Sequence, residues 1–429
     1  MNILLIRPKP CGASIGLQSV MICEPLELMT LAAVLRANGH AVTILDMILE
    51  RRAALTYFVR KYSPDIVGIT GYISHIVVMK DYARIVKSVN PAATVCVGGV
   101  HAEVCPGDFS DTHIDFVCGS ADEFYKIVGC VDLTPRLPDR NLPERYAKKY
   151  YYLFQTGCAL IKTSFGCPYN CNFCFCKEIA PYSARSVDDV IRELLTIPQR
   201  EVYIVDDNFL YDRQRLTEFC EHLESQNIHK RYLVYGRVDF IAANEDIIRR
   251  LAKNGLSAVI VGLESASQLE LDKYNKGSTT LDSIKAVGIL QKYNIECYAT
   301  VILGVDWDKR DFAELYQFLK KIGVIFVNLQ PFTPMPGTAN FDKYKDRLLI
   351  PYEQAEKWDM AHLVIKPGKF TVRQYYWQIV KLYYIITVTP KNTAYMFRRY
   401  GFSRTMKLSA GALRITLQYL AKIIRGERR

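Results

Sequence analysis

The stretch "SFGCPYNCNFCFC", residues 164–176, decides how the sequence is interpreted, because it places four cysteines within ten positions. The first three, Cys167, Cys171 and Cys174, follow a strand-like run at the spacing C-x-x-x-C-x-x-C. The proline and asparagine between the first two cysteines favour a turn, so the three sulfur atoms can converge on one centre. Three neighbouring thiolates are typical ligands of a soft metal or an iron–sulfur cluster.

The number of cysteines in the triplet narrows the kind of metal site. A structural zinc ion usually takes four protein ligands in two separated pairs, and the triplet has no matching second pair. Three ligands on a four-iron cluster would instead leave one iron open for a substrate. Cys176 lies at the start of a predicted helix and could point away. We expect it to be a spare thiol, with metal ligation as the alternative.

The composition indicates a folded chain with two or three domains. Its 429 residues are 50% hydrophobic and 12% aromatic, which allows a sizeable core and excludes global disorder. We find no signal-peptide pattern and no apolar run of about 18 residues, so we expect a cytoplasmic protein. In a reducing compartment, a tight group among the 13 cysteines indicates metal binding rather than disulfides.

Residues 1–127 alternate short apolar runs with amphipathic helical stretches. Such a pattern predicts a doubly wound, Rossmann-like parallel sheet covered on both faces, whose ligand lies beyond the carboxyl ends of the strands. The predicted strands are residues 2–7, 41–46, 65–71, 93–99 and 115–120.

Three further regions follow along the chain. Residues 128–156 are predicted to be a linker, because they are rich in proline, arginine and tyrosine. Residues 157–345 contain six strand–helix units, which predicts a partial (β/α)6 barrel with its chemistry at the carboxyl ends of the strands. Residues 346–429 are predicted to be helical, aromatic and finally basic.

The cysteine motif "CPYNCNFC", with Phe173 before the third cysteine, resembles that of the radical S-adenosylmethionine (SAM) enzymes. The segments "VGLES", "ATVILGV" and "QPFTPMPGT" extend the resemblance through the barrel. It implies a [4Fe–4S] cluster whose open iron binds SAM, and cleavage of SAM to a 5′-deoxyadenosyl radical. Two departures bear on the adenine side of the site: Phe165 stands where arginine is common, and "GVDWD" (304–308) replaces a turn often rich in glycine and proline.

The same resemblance implies the residues that contact SAM. The two acids of "VDDNF" occupy the position that contacts the SAM amino group, and an ammonium group requires such an acceptor; helix capping is the alternative role for them. The expected SAM contacts are Phe173, Asp206, Asp207, Arg237, Glu264 and Ser265.

A doubly wound domain before such a barrel resembles the cobalamin-binding radical SAM enzymes, over about three quarters of the chain. No D-x-H-x-x-G occurs, and "DTHIDF" (111–116) lacks the required glycine, so a lower axial histidine is not expected. The alternatives are an ordinary turn role for His101 and a domain that has lost its cofactor. The expected cobalamin contacts are Thr70, Gly71, Tyr72, Gly98, Gly99, His101, Gly119 and Glu123.

These resemblances imply a C-methyltransferase that acts on an unactivated carbon of a hydrophobic or natural-product-type substrate, through a 5′-deoxyadenosyl radical and methylcobalamin. An external electron donor such as flavodoxin or ferredoxin would reduce the cluster. The alternatives are a radical cyclase or rearrangement enzyme without methyl transfer, a tRNA-modifying enzyme, and a cobalamin-binding sensor or scaffold. A nucleic-acid partner is not expected, because no RNA-binding module is evident.

The basic charge is concentrated at the C-terminus. Residues 391–429 carry ten lysines and arginines against one acid, Glu427, a net +9 of the total +11. Residues 408–424 place leucines and isoleucines at three- and four-residue spacings on one helix face. Such a helix can lie peripherally on the inner face of a membrane, with packing against the barrel as the alternative.

Overall fold

The computed structural model describes residues 1–15, 17–141 and 144–425; residues 426–429 of the predicted basic tail lie outside the described part. Internal contacts divide the chain into two compact units. The first unit comprises residues 1–18, 22–150 and 350–362, and the second comprises residues 19–21, 151–349 and those from 363 onward. The four-part division stays a prediction. The structure differs from it most clearly at residues 350–362, which belong to the first unit.

The first unit is built on a five-stranded parallel sheet, as predicted. Its strand order, β2-β1-β3-β4-β5, is that of a doubly wound fold. The strands are β1 Asn2–Arg7, β2 Ala41–Asp46, β3 Ile66–Thr70, β4 Thr94–Gly98 and β5 Phe116–Val117. The last strand is shorter than expected because the chain turns at Ser120, whose hydroxyl accepts from the Glu123 N–H and caps the next helix.

Helices cover both faces of this sheet. On one face, Ile3 and Leu5 pack against buried residues of the first and fifth helices. The second and third helices also contact strands of the sheet but do not belong to this cluster. The helices of the unit are α1 Leu26–Ala37, α2 Ala53–Tyr62, α3 Ile76–Val89, α4 Val100–Val104, α5 Ala121–Val128 and α6 Glu144–Ala147. Single 3-10 turns occur at Ile73–His75, Pro106–Phe109 and Ala355–Lys357.

The second unit contains a six-stranded parallel sheet in sequential order, which confirms the predicted partial barrel. Its strands are β6 Ala159–Ile161, β7 Glu201–Ile204, β8 Arg231–Gly236, β9 Leu256–Glu264, β10 Glu296–Leu303 and β11 Phe326–Pro331. Its helices are α7 Cys176–Ile179, α8 Val187–Thr196, α9 Arg213–Ser225, α10 Val238–Ala243, α11 Glu245–Lys253, α12 Gln268–Lys273, α13 Thr280–Lys292, α14 Lys309–Ile322 and α15 Ala339–Tyr344. Two-residue strands pair as Tyr151–Tyr152 with Gln155–Thr156 and as Ser164–Phe165 with Ser183–Ala184.

Three helices end the second unit: α16 Val372–Thr387, α17 Pro390–Tyr400 and α18 Phe402–Arg425. The first of them packs on α14 and β11, and the hydroxyl of its buried Tyr375 donates to the carbonyl oxygens of Leu303 and Gly304 at 3.1 and 3.0 Å. The last packs on α16, with the rings of Tyr376 and Tyr419 5.7 Å apart. Among the described helices, none is long and apolar enough to cross a membrane.

The packing of α16 predicts that Tyr375→Ala destabilises the second unit strongly. It removes a fully buried ring and one of the two donors of the Leu303 and Gly304 carbonyls, so we expect a loss of about 3–5 kcal/mol. Calorimetric or urea unfolding of the purified chain measures this. The control is Trp377→Ala on the same helix, where the side chain is 52% exposed and the change should stay within about 0.5 kcal/mol. Equal losses in the two variants would contradict the packing.

Candidate functional site

The cysteine loop, residues 166–176, begins with a residue that must be glycine. Gly166 has φ +64°, and a Cβ atom there would collide with the carbonyl oxygen of Ala180. Only glycine fits both this backbone conformation and this close approach. Within the loop, the Cys174 N–H donates to the Cys171 carbonyl at 3.2 Å, which forms the turn that the triplet spacing predicts.

Arg237 joins the cysteine loop to the carboxyl end of β8. Its buried guanidinium donates to Asp239 Oδ1 at 3.0 Å and approaches Cys171 Sγ at 3.5 Å. The guanidinium carbon lies 3.7 Å from the ring centre of Tyr169, and Nη2 donates to the carbonyl of Lys276. A fixed positive charge beside Cys171 favours the thiolate, which is the form that binds a metal.

Lys276 is a second buried cation at this site, and no sequence motif indicates it. Its Nζ lies 2.7 Å from Glu264 Oε1 and 5.9 Å from the ring centre of Phe173. Burial raises the pKa of the Cys171 thiol, and Lys276 and Arg237 oppose that rise. Lys276 follows a short helix in a stretch with no chemical pattern, so only the fold brings it to the cysteines.

The turn after α12 holds the cysteine loop through its backbone. The Asn172 N–H donates to the Tyr274 carbonyl at 3.1 Å, and Asn275 Nδ2 donates to the Asn170 carbonyl at 2.7 Å. The ring of Phe173 lies edge-on to that of Tyr274, with centres 5.5 Å apart. The aromatic residue of the motif is therefore packed against this turn.

The two acids after β7 have different surroundings. Asp206 is 1% exposed and accepts hydrogen bonds from Thr163 N, Thr163 Oγ1 and Ser164 Oγ at 2.6, 2.5 and 2.7 Å. These bonds tie β7 to the end of β6 and engage the whole carboxylate. Asp207 is partly exposed, and its Oδ2 lies 3.5 Å from Lys162 Nζ. Neither acid caps the following helix, because the N-cap of α9 is Asp212.

Glu264 ends β9 at an irregularity, where the register against β10 shifts after Gly262. Its φ of +60° is uncommon for a residue with a side chain, and strain of this kind clusters at functional sites. The buried Ser265 hydroxyl donates to Glu270, whose other oxygen accepts the Trp307 indole N–H at 2.5 Å. Trp307 belongs to "GVDWD", so this departure from the family pattern forms a specific contact beside the site.

Cys176 does not point away from the triplet, contrary to what the sequence allowed. Its Sγ lies 3.6 Å from Asp207 Oδ1, and it hydrogen-bonds to Cys174. This bond lowers the pKa of the Cys174 thiol. The role of Cys176 as a spare thiol stays a prediction. Because Cys176 lies beside Cys174, the Cys176→Ala variant described below tests directly whether the cluster needs this thiol.

In the first unit, the expected cobalamin contacts after β3 and β4 meet at one edge of the sheet. The Gly71 N–H donates to the Gly98 carbonyl at 3.3 Å. Gly99 has φ +99°, and a Cβ atom there would lie 2.7 Å from both the Gly71 carbonyl oxygen and Thr70 Oγ1. Only glycine permits this contact between the two loops. The glycines therefore place backbone atoms rather than side chains at this edge of the sheet.

The other expected contacts flank this glycine edge. Tyr72 is 60% exposed. The Gly119 N–H donates to Glu123 Oε2 at 2.8 Å, which closes the turn into α5. His101 is buried, with Nε2 2.7 Å from Asp108 Oδ2, so its ring is engaged within the protein. The assignments of all eight residues to cobalamin stay predictions.

The residues present fit the expected cofactors. Three thiols on one turn, beside the buried cations Arg237 and Lys276, suit an anionic iron–sulfur cluster. The assignment of Cys167, Cys171 and Cys174 as the three ligands of the cluster stays a prediction from their spacing. At the other sheet, the exposed Gly99 and the half-buried Gly71 and Gly98 present backbone at the edge where a doubly wound sheet binds its ligand.

Comparison with protein families assigns both units. Residues 13–128 match the B12 binding domain, and residues 161–319 match the radical SAM superfamily. The two domains imply cobalamin, a [4Fe–4S] cluster and SAM, which confirms the cofactors expected from the sequence.

Three individual proteins resemble most of the chain. The hopanoid C-3 methylase of Methylococcus capsulatus is 25% identical over 89% of this chain and 79% of its own length. The anaerobic magnesium-protoporphyrin IX monomethyl ester cyclase of Rubrivivax gelatinosus is 24% identical over 86% of this chain and 74% of its own. The structure of the cobalamin-dependent SAM radical enzyme OxsB superposes on 99% of this chain and 80% of its own, with a TM-score of 0.69 and 14% identity.

The cysteine geometry predicts that Cys171→Ala loses the iron–sulfur cluster, whereas Cys176→Ala keeps it. Cys171 belongs to the triplet and carries the Arg237 contact, while Cys176 lies outside the triplet and contacts Cys174 and Asp207. Iron and sulfide counts after anaerobic reconstitution compare the two variants, which make the same substitution five residues apart. Equal iron content in both would contradict the assignment.

Proposed function

Because the chain belongs to the radical SAM enzymes with an N-terminal B12 binding domain, we propose that it methylates an unactivated carbon of a small hydrophobic substrate. The observation that best supports this proposal is that one chain combines two features. The first is a cysteine loop beside two buried cations, and the second is a B12 binding domain with a glycine-lined sheet edge. When bound, the cluster with SAM supplies a 5′-deoxyadenosyl radical, and cobalamin supplies the methyl group.

The residues around the cysteine loop have distinct roles in this proposal. Cys167, Cys171 and Cys174 hold the cluster, and Arg237 fixes the loop and offsets the charge of its thiolates. The partly exposed Asp207 accepts the SAM ammonium group, since the carboxylate of Asp206 is already satisfied by three donors. An external protein such as flavodoxin or ferredoxin delivers the electron.

The relatives support a hydrophobic substrate. A hopanoid and a magnesium-protoporphyrin ester, which the names of two relatives specify, are both polycyclic small molecules with extensive apolar surface. The cyclase among them keeps ring formation without methyl transfer as the second candidate function. A tRNA substrate or a role as sensor or scaffold has no comparable support.

The methyl-transfer proposal predicts the labelling pattern of the product. With SAM carrying a CD3 group, the product should gain one CD3 in place of one hydrogen. One 5′-deoxyadenosine and one S-adenosylhomocysteine should form per product, because one SAM gives the radical and another gives the methyl. Mass spectrometry of an anaerobic reaction with candidate ring lipids and porphyrins measures all three. 5′-Deoxyadenosine with an unlabelled, rearranged product would favour the cyclase.

A hydrophobic substrate raises the question of where the enzyme meets it, and α18 suggests a lipid surface. Its exposed large apolar residues recur at spacings of four and seven, so they share one helix face. Thr405 and Tyr419, which are buried, lie on other faces of the same helix. The exposed stripe consists of Phe402, Met406, Leu413, Leu417 and Ile424.

The charge around this stripe indicates which lipids would bind. Residues 360–426 contain twelve lysines and arginines and no aspartate or glutamate. Arg414 is exposed on α18 beside the stripe, and Arg404 is exposed on another face of the same helix. Basic residues near an anionic bilayer contribute roughly 1 kcal/mol each, and an apolar helix face adds burial at the headgroup boundary. We propose peripheral binding to anionic lipid on the cytoplasmic face of a membrane.

This lipid proposal predicts binding to vesicles with phosphatidylglycerol and weak binding to pure phosphatidylcholine vesicles. Replacing Leu413, Leu417 and Ile424 with serine should weaken the first by about tenfold or more, since three exposed apolar side chains are lost. Cosedimentation of the full chain measures the binding. The control replaces Leu269 and Leu281, which are 72% and 73% exposed elsewhere in the second unit, with serine. Unchanged binding of the α18 variant, or none by the wild type, would contradict the proposal.

A further inference from the structure

Residues 350–362, here named the strap, come after the whole barrel in sequence but belong to the first unit. The strap is firmly packed there. Trp358 is 1% exposed and lies edge-on to Tyr352 with ring centres 5.5 Å apart, and its indole N–H donates to the Pro351 carbonyl at 3.4 Å. The strap is therefore part of the first unit, although the last strand of that unit's sheet ends at residue 117.

The first contact of the strap is with the loop after β1. The Ile15 N–H donates to Asp359 Oδ2 at 2.6 Å, and the Ser14 hydroxyl donates to the Glu356 carbonyl at 2.7 Å. Asp359 also contacts Nδ1 of the fully buried His362 at 2.9 Å, so the strap holds its own carboxylate in place.

The second contact is with the segment after β4. The Tyr352 hydroxyl donates to Asp108 and lies 3.3 Å from His101 Nε2. Burial raises the pKa of Tyr352, so this hydroxyl stays protonated and can donate. His101 is the second residue of α4, which begins directly after the Gly98–Gly99 pair. The strap therefore fixes the helix that starts at the glycine edge.

The third contact is with the loop after β3. The strap turn Ala355–Lys357 packs on the turn Ile73–His75, which directly follows Tyr72. His75 Nδ1 accepts the Tyr72 N–H at 3.2 Å, and burial lowers the pKa of His75 to about 4, so its ring is neutral and able to accept. The strap thereby supports the loop of Thr70, Gly71 and Tyr72.

All three loops lie at the carboxyl ends of parallel strands, which is where a doubly wound sheet binds its ligand. We infer that the strap is part of the cobalamin site: it holds the loops after β1, β3 and β4 in the arrangement that binds the cofactor, with Tyr352 and Asp359 as positioning residues. The inference rests on the proposed function only in taking cobalamin as the ligand. Cobalamin affinity then depends on residues that lie outside the strands of the first sheet and outside the helices that cover it.

The experiment uses the full chain with the double substitution Tyr352→Phe and Asp359→Asn, which keeps side-chain size while removing the hydroxyl and the charged acceptor. Anaerobic equilibrium dialysis against hydroxocobalamin gives the Kd, and iron is counted in the same samples. We expect the Kd to rise about tenfold or more, with iron unchanged because the cysteines lie in the other unit. At high cobalamin the variant should still reach one cobalt per chain, which a partly unfolded chain would not.

The control is Tyr384→Phe, an exposed tyrosine of the second unit, which should bind as the wild type does. If the double variant loses iron or its helical circular-dichroism signal, the single variant Tyr352→Phe replaces it in the cobalamin-binding measurement. A wild-type Kd in a folded, iron-replete variant would overturn the inference and leave the proposed function standing. No cobalt binding by the wild type would overturn both.

Discussion

The Arg237 guanidinium is the contact on which the radical SAM site depends. It joins the end of β8 to Cys171, to the ring of Tyr169 and to the turn that carries Lys276. Thiolates gathered on one short loop repel each other and lose solvation when buried, so the loop needs fixed positive charge at short range. Arg237 supplies that charge and, through Asp239, is itself held in place.

Both units use the same physical rule with different chemistry. Parallel strands end at one edge of a sheet, and the loops there can place groups from distant parts of the chain together. In the second unit these groups are thiols, acids and cations. In the first unit they are mainly glycine backbone, because only glycine at position 99 allows the loops after β3 and β4 to approach each other. The strap adds a further consequence: the loops of the first sheet are held by a segment that follows the second.

Much of this arrangement was predictable from the sequence. Alternating apolar runs located the strands of the first sheet to within a few residues and predicted the six strands of the second, and the C-x-x-x-C-x-x-C spacing located the cysteine loop. The sequence could not separate Asp206 from Asp207, since only the fold shows which carboxylate meets Thr163 and Ser164. Lys276 was missed because no local pattern marks it. The strap was missed because its partners lie more than 200 positions away in the chain.

The most direct test of this account counts two metals in one preparation. The chain is reconstituted anaerobically with iron, sulfide and hydroxocobalamin, desalted, and analysed for iron and cobalt together with its absorption spectrum. We expect about four irons and one cobalt per chain, because the two domains hold separate cofactors. Iron retained without cobalt would contradict it, since the chain would then lack the source of the methyl group.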